Sequence, residues 1–260
     1  GDDTAILPDH VYSKIDDAEF VNFKNWEATG EWPVSTAAYG CSQATDQFTY
    51  FDLRPTWWAL ESGFVEKEPD VWRLLQHPFQ NDTLGAQQLI NNEVDQTLDL
   101  RPLVVASLLA QSDHVITWTG SKPPFGYTDW WPISVWFNCA QAPTNDPKVR
   151  WAISYAINRQ QLVDTGWGGA GKVSSTPYPE FAKLDAYVAG IKDITDQYNI
   201  LQQDKNKSAN LMTEAGFAKN ADGFWVDKDG NLPDFDLYAG VPLFGDIAPL
   251  IAEQLRKAGF

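Results

Sequence analysis

The stretch that most restricts how this chain can fold begins at Asp146. An aspartate followed by proline marks a helix start: the carboxylate accepts from the free amides of the first turn, and proline gives up a donor that would have lacked a partner there. Val149, Ile153, Ala156 and Ile157 then recur on one face. The pattern predicts a helix from Asp146 to Thr165 or Gly166, packed through Val149, Ile153 and Ile157. Two more helices carry similar signals. One runs from Asp204 through Ala209, Leu211 and Met212 to Gly216, and the other from Asp246, with Ile247, Leu250, Ile251 and Leu255 inward, to Gly259.

Upstream, Ala18 to Phe23, Gln47 to Phe51 and Val71 to Gln76 are β-leaning runs bounded by turn residues, so residues 1–80 read as rich in sheet. Asp82 or Thr83 caps a predicted helix through Leu84, Gln87, Leu89 and Ile90, ending near Asn92. A strand is expected at Val94 to Leu98. Pro102 opens a short helix with Leu103, Val104, Leu108 and Leu109, followed by a strand at His114 to Trp118. The segment Thr119 to Pro132, rich in Gly, Pro and Trp, breaks periodicity and reads as a crossing between two lobes. A strand Ile133 to Asn138 opens the second lobe, and Gly223 to Tyr238 reads as a hairpin turning at Asp229-Gly230. The expected division is therefore 1–118, a sheet-rich lobe, and 119–260, an α/β lobe. A domain seldom stops on a capping glycine, so the natural protein is expected to continue past Phe260.

Charge narrows the partners. Nineteen basic against thirty-five acidic side chains give a net charge of −16 over 260 residues, which repels phosphate backbones and argues against nucleic acid. No window approaches the ~20 consecutive apolar residues of a membrane span. The unusual count is twelve Trp beside nine Tyr and fourteen Phe. Indole and phenol rings combine an apolar face with a polar edge, which suits cores and also surfaces that stack on sugar rings.

Motifs for catalysis fail on inspection. Gly166-Trp-Gly-Gly-Ala-Gly171-Lys172 has phosphate-loop spacing, but Val173 cannot ligate Mg²⁺ and the segment follows a helix rather than a strand. Asp227-Lys-Asp229-Gly230-Asn231 begins like a calcium loop, yet glycine stands fourth rather than sixth and Tyr238 holds the twelfth position. His10, His77 and His114 show no metal spacing, and no Gly-x-Ser-x-Gly elbow occurs. Cys41 and Cys139 stand isolated, so they read as two thiols or one disulfide and not as a metal site. The chain therefore reads as a non-enzyme with no cofactor, the alternatives being a glycoside-active enzyme or a carbohydrate-binding module.

A family resemblance rests on three consecutive pieces: Val135-Trp136-Phe137-Asn138, then Asp146-Pro147-Lys148-Val149-Arg150, then Ala152-Ile153-Ser154-Tyr155-Ala156-Ile157-Asn158-Arg159. Together they resemble the dipeptide/oligopeptide-binding proteins of ABC importers, bacterial solute-binding protein family 5. That family has a strand ending in Asn and then a helix of the form Asp-x-x-Val-Arg-x-Ala-Ile-x-x-Ala-Ile-x-Arg. Asn92-Glu93-Val94-Asp95, Trp57-Trp58, and Ala209 to Phe217 with Gly223-Phe224-Trp225 are similar to further family elements. One departure stands out. Where the family commonly has Pro-Val-Gly-Thr-Gly-Pro-Tyr, this chain has Pro33-Val34-Ser35-Thr36-Ala37-Ala38-Tyr39.

The resemblance implies a two-lobed α/β fold of the periplasmic-binding-protein type (class II), here as a fragment, with sequence missing at both ends. It implies an extracytoplasmic, membrane-anchored protein that closes on a peptide or oligosaccharide and docks on a membrane permease. Trp richness tilts the solute toward sugars. The expected ligand contacts are Tyr127, Trp130, Trp131 and Trp136 at the lobe crossing, Asn138 at the strand end, and more weakly Trp57, Trp58 and Trp167.

Overall fold

A computed structural model describes residues 7–25, 30–78, 80–98, 100–127, 132–178, 182–199, 201–240 and 244–260. The chain divides into two compact units, residues 1–80 and 81–260.

The first unit is built on an antiparallel sheet of order β1-β2-β3, comprising β1 (Tyr39–Ala44), β2 (Thr49–Leu53) and β3 (Arg73–Gln76). The β1–β2 turn is set by Thr45, whose hydroxyl accepts from the Gln47 and Phe48 amides at 3.2 Å while its own amide donates to the Phe48 carbonyl at 2.8 Å. A bulge between Cys41 and Gln43 shifts the β1 register. Two short helices precede the sheet, α1 (Asp9–Tyr12) and α2 (Asp17–Phe20), and α3 (Trp58–Glu61) follows β2.

Ala18 to Phe23 was expected to lean to strand. Instead the Asp16 carboxylate accepts from the Ala18 amide at 2.9 Å and starts α2, a local cap outweighing β-leaning side chains. The loop that departs from the family pattern takes no positive φ between Pro33 and Tyr39, so alanine stands there without strain. Its carbonyls are used: Ala37 and Ala38 accept from the Arg54 side chain and amide, at 3.1 and 2.9 Å.

The second unit carries the larger core. Helix α6 (Pro147–Ala156) packs on α10 (Lys205–Glu214), burying Val149, Ala152, Ile153 and Met212 together with Trp225, Ile247 and Ile251. The Asp146 carboxylate caps α6 by accepting from the Lys148 amide at 2.7 Å, and Asp204 caps α10 by accepting from the Lys207 amide at 2.8 Å. Between these two comes α7 (Arg159–Gln161), and α8 (Asp185–Gly190) and α9 (Lys192–Tyr198) lead into α10.

The single helix expected from Asp146 to Thr165 is broken. Ile157 is extended, and Asn158 caps α7 by accepting from the Gln161 amide at 3.0 Å; α7 then runs into one wide turn, Leu162–Gly166. Gln254 holds the break, accepting from the Asn158 amide at 2.7 Å and donating to its carbonyl at 3.3 Å. An interior asparagine thus turned a continuous apolar stripe into two helices.

Helix α4 (Asp82–Ile90) is capped by Asn81 and not by the expected Asp82 or Thr83, and α5 (Pro102–Gln111) starts on its proline as predicted. The expected hairpin at Gly223 to Tyr238 is displaced. The ladder joins β4 (Ala218–Lys219) to β5 (Trp225–Val226), and Asp227 closes the next turn by accepting from the Asp229 and Asn231 amides at 2.8 and 2.9 Å. Residues 231–240 form no ladder.

Val94 to Leu98, His114 to Trp118 and Ile133 to Asn138 also form no ladder among the described residues. A β-leaning run becomes a strand only where a neighbour accepts and donates its main-chain hydrogen bonds. Helix α11 (Ala248–Ala258) ends on Gly259 at φ 98°, where an added Cβ would lie 2.5 Å from the Gly223 carbonyl oxygen, so only glycine fits. The Trp225 amide donates to the Gly259 carbonyl at 2.8 Å, which ties the C-terminus to the core.

Candidate functional site

The segment read as a lobe crossing, Thr119 to Pro132, has no regular structure across its described part, and its Tyr127 is 76% exposed. The rings that flank it are also in solvent, Trp118 85% exposed and Trp136 79%. Phe137, the neighbour of Trp136, turns inward against the core of the second unit. Side chains of an extended segment alternate, so anchoring Phe137 projects Trp136 outward. Trp130 and Trp131 lie outside the described residues.

Asn138 is spent locally. Its amide donates to Gln141 Oε1 at 3.1 Å, its side-chain oxygen accepts from the Ala140 amide at 3.1 Å, and its carbonyl accepts from the Thr144 hydroxyl at 2.6 Å. It shapes the turn that leads to α6. Trp167 packs against the core cluster, and Gly168 and Gly169 beyond it take positive φ, as a glycine loop closing a helix should. In the first unit, Trp57 and Trp58 both donate their indole N–H to one carbonyl, that of Thr36, at 2.9 and 2.8 Å. They anchor the loop before β1, while Trp58 keeps half its surface open beside Phe64.

The structure therefore joins Trp57 to Trp58 on one acceptor and sets Trp136 beside Asn138 on one segment. The sequence reading passed over two exposed indoles. Trp118 ends the expected strand His114 to Trp118, and Trp72, 66% exposed, falls in the expected strand Val71 to Gln76. Local period gave no warning: Ile116 stands two residues before Trp118 and Leu74 two residues after Trp72, as on a buried strand face.

Titration and metal chemistry are sparse. No group of His, Cys, Asp or Glu among the described residues is placed to hold a metal, and both cysteines are free thiols. Asp227 is held below the usual carboxylate range, chiefly by the hydrogen bond from the Asn231 amide, and Asp52 is held low by the Arg73 guanidinium. Burial lowers Arg159, whose side chain donates to the Ser154 carbonyl and hydroxyl at 3.0 and 2.8 Å.

Against known proteins, the model of bacterial extracellular solute-binding proteins, family 5 middle region, matches residues 4–260. The chain belongs to this family. It is 26% identical over 268 residues to the oligopeptide-binding protein AppA of Bacillus subtilis, covering 99% of this chain and 43% of that one. It is 30% identical over 127 residues to the nickel-binding periplasmic protein of Escherichia coli, covering 47% of this chain and 22% of that one. The chain thus spans less than half the length of the family 5 relatives it matches.

Among solved structures it superposes on a mannohexaose-bound periplasmic oligopeptide-binding protein of Thermotoga maritima with TM-score 0.74 at 22% identity, covering 98% of this chain and 46% of that one. A pentapeptide complex of the Thermus thermophilus oligopeptide-binding protein gives 0.58 at 18% identity, covering 86% and 37%. Both place the fold among periplasmic binding proteins, as the two-lobed α/β reading expected.

Proposed function

We propose that this chain is part of the extracytoplasmic solute-binding component of an ABC importer, capturing a peptide or oligosaccharide between two lobes without chemical change. The family 5 match across residues 4–260 is the observation that supports this. The mannohexaose and pentapeptide held by two proteins of the same fold support both solute classes. In the full-length protein the lobes meet near residues 119–132, where the exposed Tyr127 and Trp136, with Trp130 and Trp131, contribute stacking faces to the cleft. Hinge closure then presents the loaded protein to a membrane permease, with the protein anchored at the outer face of the membrane.

A thermal-shift screen of the full-length protein against peptides and oligosaccharides tests this reading. A solute at 100 times its dissociation constant adds about 2.7 kcal/mol of stability. A clear rise in melting temperature with one class is expected, and no rise with any member of either class would overturn the reading.

A further inference from the structure

Trp72 is 66% exposed and yet held in place at the edge of the first unit's sheet. The Arg73 guanidinium carbon lies 4.6 Å from the Trp72 ring centre and 4.8 Å from that of Tyr50. The guanidinium is fixed in turn: Nε donates to Asp52 Oδ1 at 2.5 Å and Nη2 to Asp52 Oδ2 at 2.8 Å. Phe48 stacks on Tyr50, with centroids 4.5 Å apart and planes 23° from parallel.

The register explains the cluster apart from Trp72, which stands just before β3 and joins it through its contact with Arg73. Tyr50 and Asp52 alternate onto one face of β2, and Arg73 stands directly opposite Asp52 on β3, while Phe51 and Leu74 pair on the other face. The result is a stack of Phe48, Tyr50, Arg73 and Trp72 whose last ring faces water.

We propose that this face is a binding surface for a neutral saccharide, with Trp72 as the stacking platform and Asp52 and Arg73 as its hydrogen-bonding pair. A pyranose ring offers a flat apolar face of C–H groups and a rim of adjacent hydroxyls, each both donor and acceptor. Trp72 supplies the flat partner, already immobilised by the guanidinium, so little ordering entropy remains to be lost on binding. The pair beside it keeps spare capacity. Its side chains are 32% exposed for Asp52 and 36% for Arg73. Beyond Arg73 the carboxylate meets only the Ser42 hydroxyl, which leaves acceptor capacity over, and Arg73 Nη1 makes no hydrogen bond among the described residues.

Charge selects against other ligands. Asp52 neutralises Arg73 locally and the chain as a whole carries −16, so an anion gains no favourable field, and a cation finds the carboxylate already engaged. A neutral polyhydroxyl ligand suits both halves of the pair. This surface lies wholly within the first unit and goes beyond the lobe-crossing site proposed above.

Calorimetric titration of the 260-residue chain with hexasaccharides of mannose, glucose and xylose, and with a neutral pentapeptide, tests it. At least one hexasaccharide is expected to bind at about 1 mM or tighter. Trp72→Ala should weaken binding at least tenfold with an unchanged melting temperature, Trp72→Phe should weaken it less, and Arg73→Lys, which loses the planar fork, should weaken it several-fold. Should Trp72→Ala fail to fold, the graded losses of Trp72→Phe and Arg73→Lys decide. The proposal is overturned if no hexasaccharide binds, if only the pentapeptide binds, or if the folded Trp72 and Arg73 variants bind like the parent. The last result, with saccharide bound elsewhere, would leave the solute-capture reading standing.

Discussion

Arg101 Nε lies 2.6 Å from Asp82 Oδ2, and the same guanidinium reaches Asp246, 145 positions further along the chain, at 3.2 Å, so one side chain joins the start of α4 to the approach to α11. The Asp82 side chain is 4% exposed and that of Arg101 34%. Removing the Arg101 side chain leaves the buried carboxylate without its counter-charge, with the residue 101 amide still donating to Oδ2 at 3.2 Å. Arg101→Ala should cost about 3 kcal/mol in urea unfolding. Asp82→Asn made in the Arg101→Ala background should recover part of the loss, and a double-mutant cycle reads the coupling.

Ile153 sits in the core between α6 and α10. Ile153→Ala should cost ~2 to 5 kcal/mol by chemical denaturation. A loss below about half a kcal/mol would place that face in solvent.

This helix was legible in the sequence because every local signal agreed: cap, proline and apolar period all pointed to one answer. Its end was not legible. The apolar stripe continues through Ile157, and only the contact of Asn158 with Gln254, 96 positions away, shows why the helix breaks there. Likewise Ile133 to Asn138 reads as strand by composition, but pairing is a property of neighbours and not of the segment itself. The ring-rich crossing was legible as irregular. Which rings face water was not, since Trp136, flanked by the apolar Val135 and Phe137, stands in solvent, while Trp167, flanked by Gly166 and Gly168, packs on the core.

Asp227 gives a pH test with a definite sign. Its carboxyl is lowered in the fold, first by the Asn231 amide, so its contribution is complete above the unfolded value of about 3.9 and disappears as pH falls through the lower folded value. Asp227→Ala should therefore be less stable than the parent at pH 7. The gap in urea midpoints should close as the pH is taken well below the usual carboxylate range.

Trp136 projects from a segment anchored by Phe137, so truncating it removes a surface ring and little core. In the full-length protein, Trp136→Ala, Trp130→Ala and Trp131→Ala should each weaken solute binding more than tenfold, ~1.4 kcal/mol, with the melting temperature within a few degrees of the parent. Replacing Cys41 and Cys139 together with Ser should leave binding unchanged, because both are free thiols remote from any metal cluster among the described residues.

The most direct measurement incubates the full-length protein with the solute that gives the largest thermal shift, determines the affinity by calorimetry, and then recovers the solute for mass spectrometry. Capture without chemistry requires saturable binding of about one solute per protein and recovery of the solute at its original mass. A shortened oligosaccharide or peptide accumulating with time, and absent from a solute-only control, would contradict it.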